Sequence, residues 1–208
     1  KVKLKNRKSF ICSLKGTKMT FNEKKFIKIY KPWGIILFER NIKNIEQVSK
    51  LVKSIRYIFN DSKYPIFIDE EGGRVSRLKN IVDNSIFSAK YFGNLYKKNK
   101  SKFDLYYKIY VDQISYVFNL IGINVNTVPA LDLKRSFSHS IIGDRSYSSN
   151  KKIINKIGKI TIDLFNNNKI ATVIKHIPGH GLSKQDTHFS LPYINKKLDY
   201  LEKNDFLL

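Results

Sequence analysis

Apolar residues recur along this chain in two rhythms. Short runs rich in apolar side chains at 10–14, 34–38, 66–68, 123–126 and 171–174 predict five strands. Runs such as Gly34-Ile-Ile-Leu-Phe38 and Ile66-Phe67-Ile68 lack polar alternation, which marks strands buried on both faces. The second rhythm is helical. Ile45, Val48, Leu51, Val52, Ile55 and Ile58 form one face of a helix over 45–59. The stretch 103–120 reads the same way, with Ile109, Ile114, Val117 and Phe118 inward and Gly122 at its end. Ile153, Ile157, Ile160, Leu164 and Phe165 predict a further helix, ended by Asn166-Asn167-Asn168. Near the N-terminus, Thr20 and Glu23 have capping-box spacing, which predicts a short helix to about Lys31, closed by Pro32.

Strands alternating with helices imply an α/β fold with a parallel sheet. Polar or charged residues follow each strand, as expected where chemistry sits at strand C-terminal ends. A TIM (β/α)8 barrel has that arrangement, and a doubly wound sheet gives a similar pattern. No internal repeat, low-complexity linker or composition break interrupts the chain, which predicts one domain over 1–208.

Composition narrows the class. The 208 residues are 42% hydrophobic, enough for one sizeable core. The single cysteine, Cys12, excludes a disulfide framework and fits a reducing compartment. No apolar run approaches the roughly 20 residues that span a bilayer, and the run at 10–14 is shorter than a signal-peptide core. A cytoplasmic location with no membrane partner is the expectation. The formal net charge of +22 invites a nucleic-acid reading. Most of the 39 basic residues are lysines scattered along the chain, and no recognition motif accompanies them. Arg40, Arg74, Arg77 and Arg145 sit in motifs instead. A basic nucleic-acid-binding protein stays as an alternative; the main expectation is no nucleic-acid partner.

The chemistry concentrates in 174–188, where the fifth strand enters Lys175-His176-Ile-Pro-Gly-His180-Gly-Leu-Ser-Lys-Gln-Asp186-Thr-His188. Pro178, Gly179 and Gly181 forbid a helix and force a loop. His176, His180, Asp186 and His188 are all metal-ligand types, but the Pro-Gly break keeps His176 and His180 from sharing a helix face, so no metal is expected. A second cluster follows the third strand: Asp69-Glu70-Glu71-Gly72-Gly73-Arg74-Val75-Ser76-Arg77. An acidic triplet can be a solvated turn, yet twin glycines allow close backbone approach.

These segments resemble the bacterial β-N-acetylhexosaminidases of glycoside hydrolase family 3. Lys175 to His188 resembles the family's Lys-His-Phe-Pro-Gly-His-Gly…Asp-Ser-His. Residues 69–77 resemble its Asp-Gln-Glu-Gly-Gly-Arg-Val-x-Arg, with Glu70 in place of Gln. Residues 122–133 and Ile142-Gly-Asp-Arg145-Ser-Tyr-Ser are similar to two further signatures, and the likeness runs from Gly16 to about Leu208. It implies a TIM barrel, of which this chain holds about the first five βα units. It implies removal of terminal non-reducing β-N-acetylglucosamine, from muropeptides of cell-wall recycling, by a retaining mechanism without a cofactor. Asp69, Arg77, Arg145, Lys175 and His176 would bind the sugar. His188 would be the acid/base, paired to Asp186, and His180 would be structural. The family's nucleophile follows a later strand. Asp199, Glu202 and Asp205 do not match its motif, so the expectation is a truncated or split enzyme, inactive alone, with a separately encoded C-terminal half as a partner. A non-catalytic remnant that at most binds sugar is the other alternative.

Overall fold

The computed structural model describes residues 6–135, 140, 142–177, 179–183, 191 and 193–204. Its strands are β1 (Lys8–Ser13), β2 (Pro32–Leu37), β3 (Ile66–Ile68), β4 (Val125–Asn126) and β5 (Ala171–Thr172). Its helices are α1 (Phe21–Tyr30), α2 (Ile45–Phe59), α3 (Ala89–Lys98), α4 (Lys100–Ile121), α5 (Lys151–Asn167) and α6 (Leu198–Asn204). All four strand pairs are parallel and the order is β1-β2-β3-β4-β5. A doubly wound sheet reverses its strand order at a switch point. Here each strand lies beside its predecessor, the progression of a (β/α) barrel. Because every pair is parallel, all strand C-termini open on the same end of the sheet.

Local chemistry accounts for most boundaries. Thr20 Oγ1 accepts from the Glu23 N–H (3.2 Å), and the Glu23 carboxylate accepts from the Thr20 N–H (2.7 Å), completing the capping box of α1. Asn44 caps α2 by accepting from the Gln47 N–H at 2.9 Å. Gly122, at φ 87°, ends α4 in the left-handed conformation. Ile35, Leu37, Ile66 and Ile68 are fully buried, with Val48, Val52 and Ile55 of α2 and Phe118 of α4 in the same core. Buried Asn41 fixes the β1 and β2 ends to each other: its amide donates to the carbonyls of Leu14 and Gly16, both at 2.9 Å.

The structure departs from the sequence reading at α3, α4 and β5, and β2 and β4 shift to Pro32–Leu37 and Val125–Asn126. α3 was not expected. Its buried residues are Ala89, Phe92 and Gly93, too few to write a helical stripe among lysines and aromatics. In α4 the inward stripe is Phe103, Tyr107, Tyr110, Val111, Ile114, Phe118 and Ile121, while Ile109 is 45% exposed. The tyrosines displace it because their hydroxyls are satisfied inside: Tyr107 Oη lies 2.9 Å from Tyr147 Oη and 2.7 Å from Thr161 Oγ1. Finally, β5 ends at Thr172 instead of 174, and Val173 and Ile174 are exposed. Pro129, across from this stretch, has no N–H to extend the ladder. Its carbonyl still accepts from the Lys175 N–H at 3.1 Å, and Lys175 O accepts from the Leu131 N–H at 2.6 Å.

Candidate active site

Three crossovers deliver charged side chains to the C-terminal end of the sheet. Just after β3, Asp69 and Glu71 both meet Lys175, whereas Glu70 faces the other way. Glu70 is buried and fixes the loop behind it. Its carboxylate accepts from the N–H groups of Arg77 (2.7 Å) and Leu78 (3.0 Å) and from the Asn84 amide (2.7 Å). Its own backbone exchanges two hydrogen bonds with the Asn126 side chain at the end of β4 (3.0 and 2.9 Å). Burial pushes its carboxyl above the ordinary value, against the pull of these donors. Gly72 and Gly73, at φ 80° and 60°, turn the chain sharply. A Cβ on Gly72 would lie 2.3 Å from Phe87 O, so no other residue fits there.

On the other side of this segment, Asp69 accepts from Thr127 Oγ1 and, at 2.8 Å, from Lys175 Nζ. Arg77 Nη2 stands 3.8 Å from its second oxygen. Glu71 takes a two-pronged bond from Arg145, Nε and Nη2 each at 2.8 Å, and Lys175 Nζ lies 2.6 Å from its Oε1. Arg145 comes from a 3-10 turn, Gly143–Arg145, between β4 and α5. Its Nη2 also lies 3.3 Å from His176 Nε2. His176 Nδ1 is 2.6 Å from Asp132 Oδ2, and Asp132 Oδ1 accepts from the His180 N–H at 2.6 Å.

Burial raises the carboxyls of Asp69, Glu71 and Asp132, but their partners overcome it and hold all three below the ordinary value. For Asp69 the opposing influence is chiefly Lys175, for Glu71 it is Arg145 and Lys175, and for Asp132 it is His176. Asp132 is thus ionised and accepts the His176 Nδ1 proton. In that tautomer Nε2 is the acceptor facing the Arg145 guanidinium, which can only donate. Burial, the largest influence on His180, lowers its imidazole below the usual value. Among the described residues no group of three His, Cys, Asp or Glu side chains is placed to hold a metal ion.

The structure brings Asp69, Arg77, Arg145, Lys175 and His176 into one connected network. Asp186 and His188 lie outside the described residues. Glu71, Thr127 and Asp132 are members that the sequence reading did not single out. Continuing the two-residue alternation of β3 would have found Glu71, two residues from Asp69 and likewise against Lys175. Nothing local marks Thr127 or Asp132, which join only once β4 is placed between β3 and β5.

Comparison with known proteins agrees with this architecture. The model of the Glycosyl hydrolase family 3 N terminal domain matches residues 4–207. Beta-hexosaminidase A of Pseudoalteromonas piscicida is 31% identical over 185 residues, which cover 87% of this chain and 30% of that protein. The beta-hexosaminidase of Thioalkalivibrio sulfidiphilus is 27% identical over 179 residues, 86% of this chain and 51% of the relative. Native NagZ from Neisseria gonorrhoeae superposes with a TM-score of 0.84 at 26% identity, covering 96% of this chain and 58% of NagZ. NagZ in complex with N-trifluoroacetyl-D-glucosamine gives 0.81. The chain spans less than two thirds of the length of each of these proteins. With the family model matched from residue 4 to residue 207 and the parallel βα progression shared with NagZ, this chain belongs to glycosyl hydrolase family 3 and carries its N-terminal, barrel-type domain.

Proposed function

We propose that this sheet end is the sugar-binding side of a β-N-acetylhexosaminidase that removes terminal non-reducing β-N-acetylglucosamine. The observation that carries the reading is the network at the strand C-termini, in which Asp69, Arg77, Arg145, Lys175 and His176 converge from three crossovers. Ionised carboxylates with free lone pairs accept from sugar hydroxyls, and guanidinium and ammonium groups donate to them. The family membership and the beta-hexosaminidase relatives support the same class of substrate. NagZ of N. gonorrhoeae, which shares the fold, was solved with an N-acetylglucosamine analogue.

In this reading Asp69 and Lys175 fix the ring, Arg77 and Arg145 flank it, and His176 offers Nε2. A glycosidase must also protonate the leaving oxygen and stabilise an oxocarbenium-like centre. By resemblance to the family motif, His188 is the acid/base, with Asp186 orienting its ring. Histidine suits the task because it titrates near neutrality and a carboxylate partner favours its charged form. Muropeptides as substrate, a retaining mechanism and a cytoplasmic setting belong to the same reading and rest on the resemblance to bacterial hexosaminidases.

The test of the acid/base assignment is leaving-group dependence. In an assembly that turns over β-N-acetylglucosaminides, His188→Ala lowers the rate on poor leaving groups by about 10²–10⁴-fold and on acidic aglycones much less. Wild-type turnover of a poor leaving group by His188→Ala contradicts the assignment.

A further inference from the structure

Glu71 sits at the centre of this network, and the sugar-binding roles above do not use it. Its side chain is 5% exposed. It follows β3, while the cations it holds arrive on two other crossovers: Arg145 between β4 and α5, and Lys175 after β5. One carboxylate therefore ties three loops. The two-pronged Arg145 bond fixes the guanidinium plane, which in turn sets Nη2 at 3.3 Å from His176 Nε2. The 2.6 Å contact with Lys175 holds Nζ between Glu71 and Asp69, where it stands 2.8 Å from Asp69 Oδ1. Glu71 is itself held by backbone, since its N–H donates to Val75 O at 2.9 Å across the Gly72-Gly73 turn.

Charge balance points the same way. Asp69, Glu71 and Asp132 stand against Arg77, Arg145 and Lys175 in this network. Removing Glu71 leaves two poorly solvated cations with one shared carboxylate fewer, and an anion from solution would fill that deficit.

We propose that Glu71 is a positioning and charge-balancing residue of the sugar site. It aims Arg145 and Lys175, and it keeps the site selective for a neutral hydroxylated ligand over an anion. The proposal rests on the reading of this sheet end as a sugar site.

The experiment measures N-acetylglucosamine binding by titration calorimetry on the purified protein, with and without inorganic phosphate as competitor. It compares wild type, Glu71→Gln and Glu71→Asp, each checked for folding by circular dichroism. Glu71→Gln keeps shape and removes charge. It should weaken N-acetylglucosamine by about 10–100-fold, the usual worth of hydrogen bonds to charged groups. It should also become competitively inhibited by phosphate, whereas wild type is not. Glu71→Asp keeps the charge but is too short to span both cations, so it should weaken the sugar without gaining phosphate inhibition. A merely structural residue would not separate the two readouts in this way. If Glu71→Gln does not fold, Glu71→Asp carries the test, and unchanged sugar affinity in it overturns the proposal. Glu71→Gln with wild-type affinity, or phosphate inhibition equal in wild type and variant, also overturns it. Failure of folded wild type to bind N-acetylglucosamine sinks the sugar-site reading itself.

Discussion

Between Ile68 and Gly72 the chain passes three carboxylates, and their surroundings give neighbouring ones opposite behaviour. Glu70, buried among hydrogen-bond donors, has its carboxyl raised by desolvation. The folded state then binds its proton more tightly than the unfolded state, so this group costs stability as pH rises above about 4.3. Glu71 is depressed by Arg145 and Lys175 despite burial. It contributes stability above the unfolded value of about 4.3 and loses it as pH falls through its folded value. Two substitutions separate these effects in thermal melts between pH 3.5 and 8. Glu70→Gln should become more favourable relative to wild type as pH rises. Glu71→Gln should show a deficit of about 3 kcal/mol at neutral pH that shrinks in acid. Parallel pH profiles for the two variants would contradict the assignment. The twin acids were legible as a cluster in the sequence, but their division of labour was not, because it depends on which side of the strand meets Asn84 and which meets Arg145.

Among the elements, α3 links packing to the site. Gly93 lies so close to the loop that carries Arg145 that a Cβ there would stand 1.8 Å from Tyr147 O. Gly93→Ala would gain up to about 1 kcal/mol of helix propensity. The clash is with backbone, which cannot rotate away, so overpacking of about 1–3 kcal/mol wins and the variant should melt lower. It should also weaken sugar binding, since Tyr147 is two residues from Arg145. A melt at or above wild type would contradict this packing account. Thr20→Ala, which removes the capping box of α1, should cost about 1 kcal/mol and leave sugar affinity unchanged. α1 and α2 were legible because capping residues and an aliphatic stripe lie within one stretch of chain. α3 and the tyrosine side of α4 were not. Their burial depends on a carbonyl of a distant loop at Gly93 and on hydroxyl partners at Tyr147 and Thr161. Ile109 illustrates the converse: an aliphatic residue in a helix, outside the buried stripe.

For the molecule as a whole, strand order decides the architecture. Local patterns gave five strands and their spacing but left a barrel and a doubly wound sheet open, since both alternate strand and helix. The unbroken order β1 to β5 settles this, because a doubly wound sheet reverses its order at a switch point. Parallel pairing gathers every strand C-terminus at one end. That is why residues as far apart as Asp69 and Lys175 meet at 2.8 Å. The net charge of +22 is a property of the whole chain, whereas at the site three carboxylates face Arg77, Arg145 and Lys175. Local balance of this kind suits a neutral sugar. The measurement that tests this most directly is calorimetric titration of the purified protein with N-acetylglucosamine, comparing wild type with Asp69→Asn. The account predicts saturable binding by wild type and a loss of at least about tenfold in folded Asp69→Asn. Equal binding by the two, or no binding by folded wild type, would contradict it.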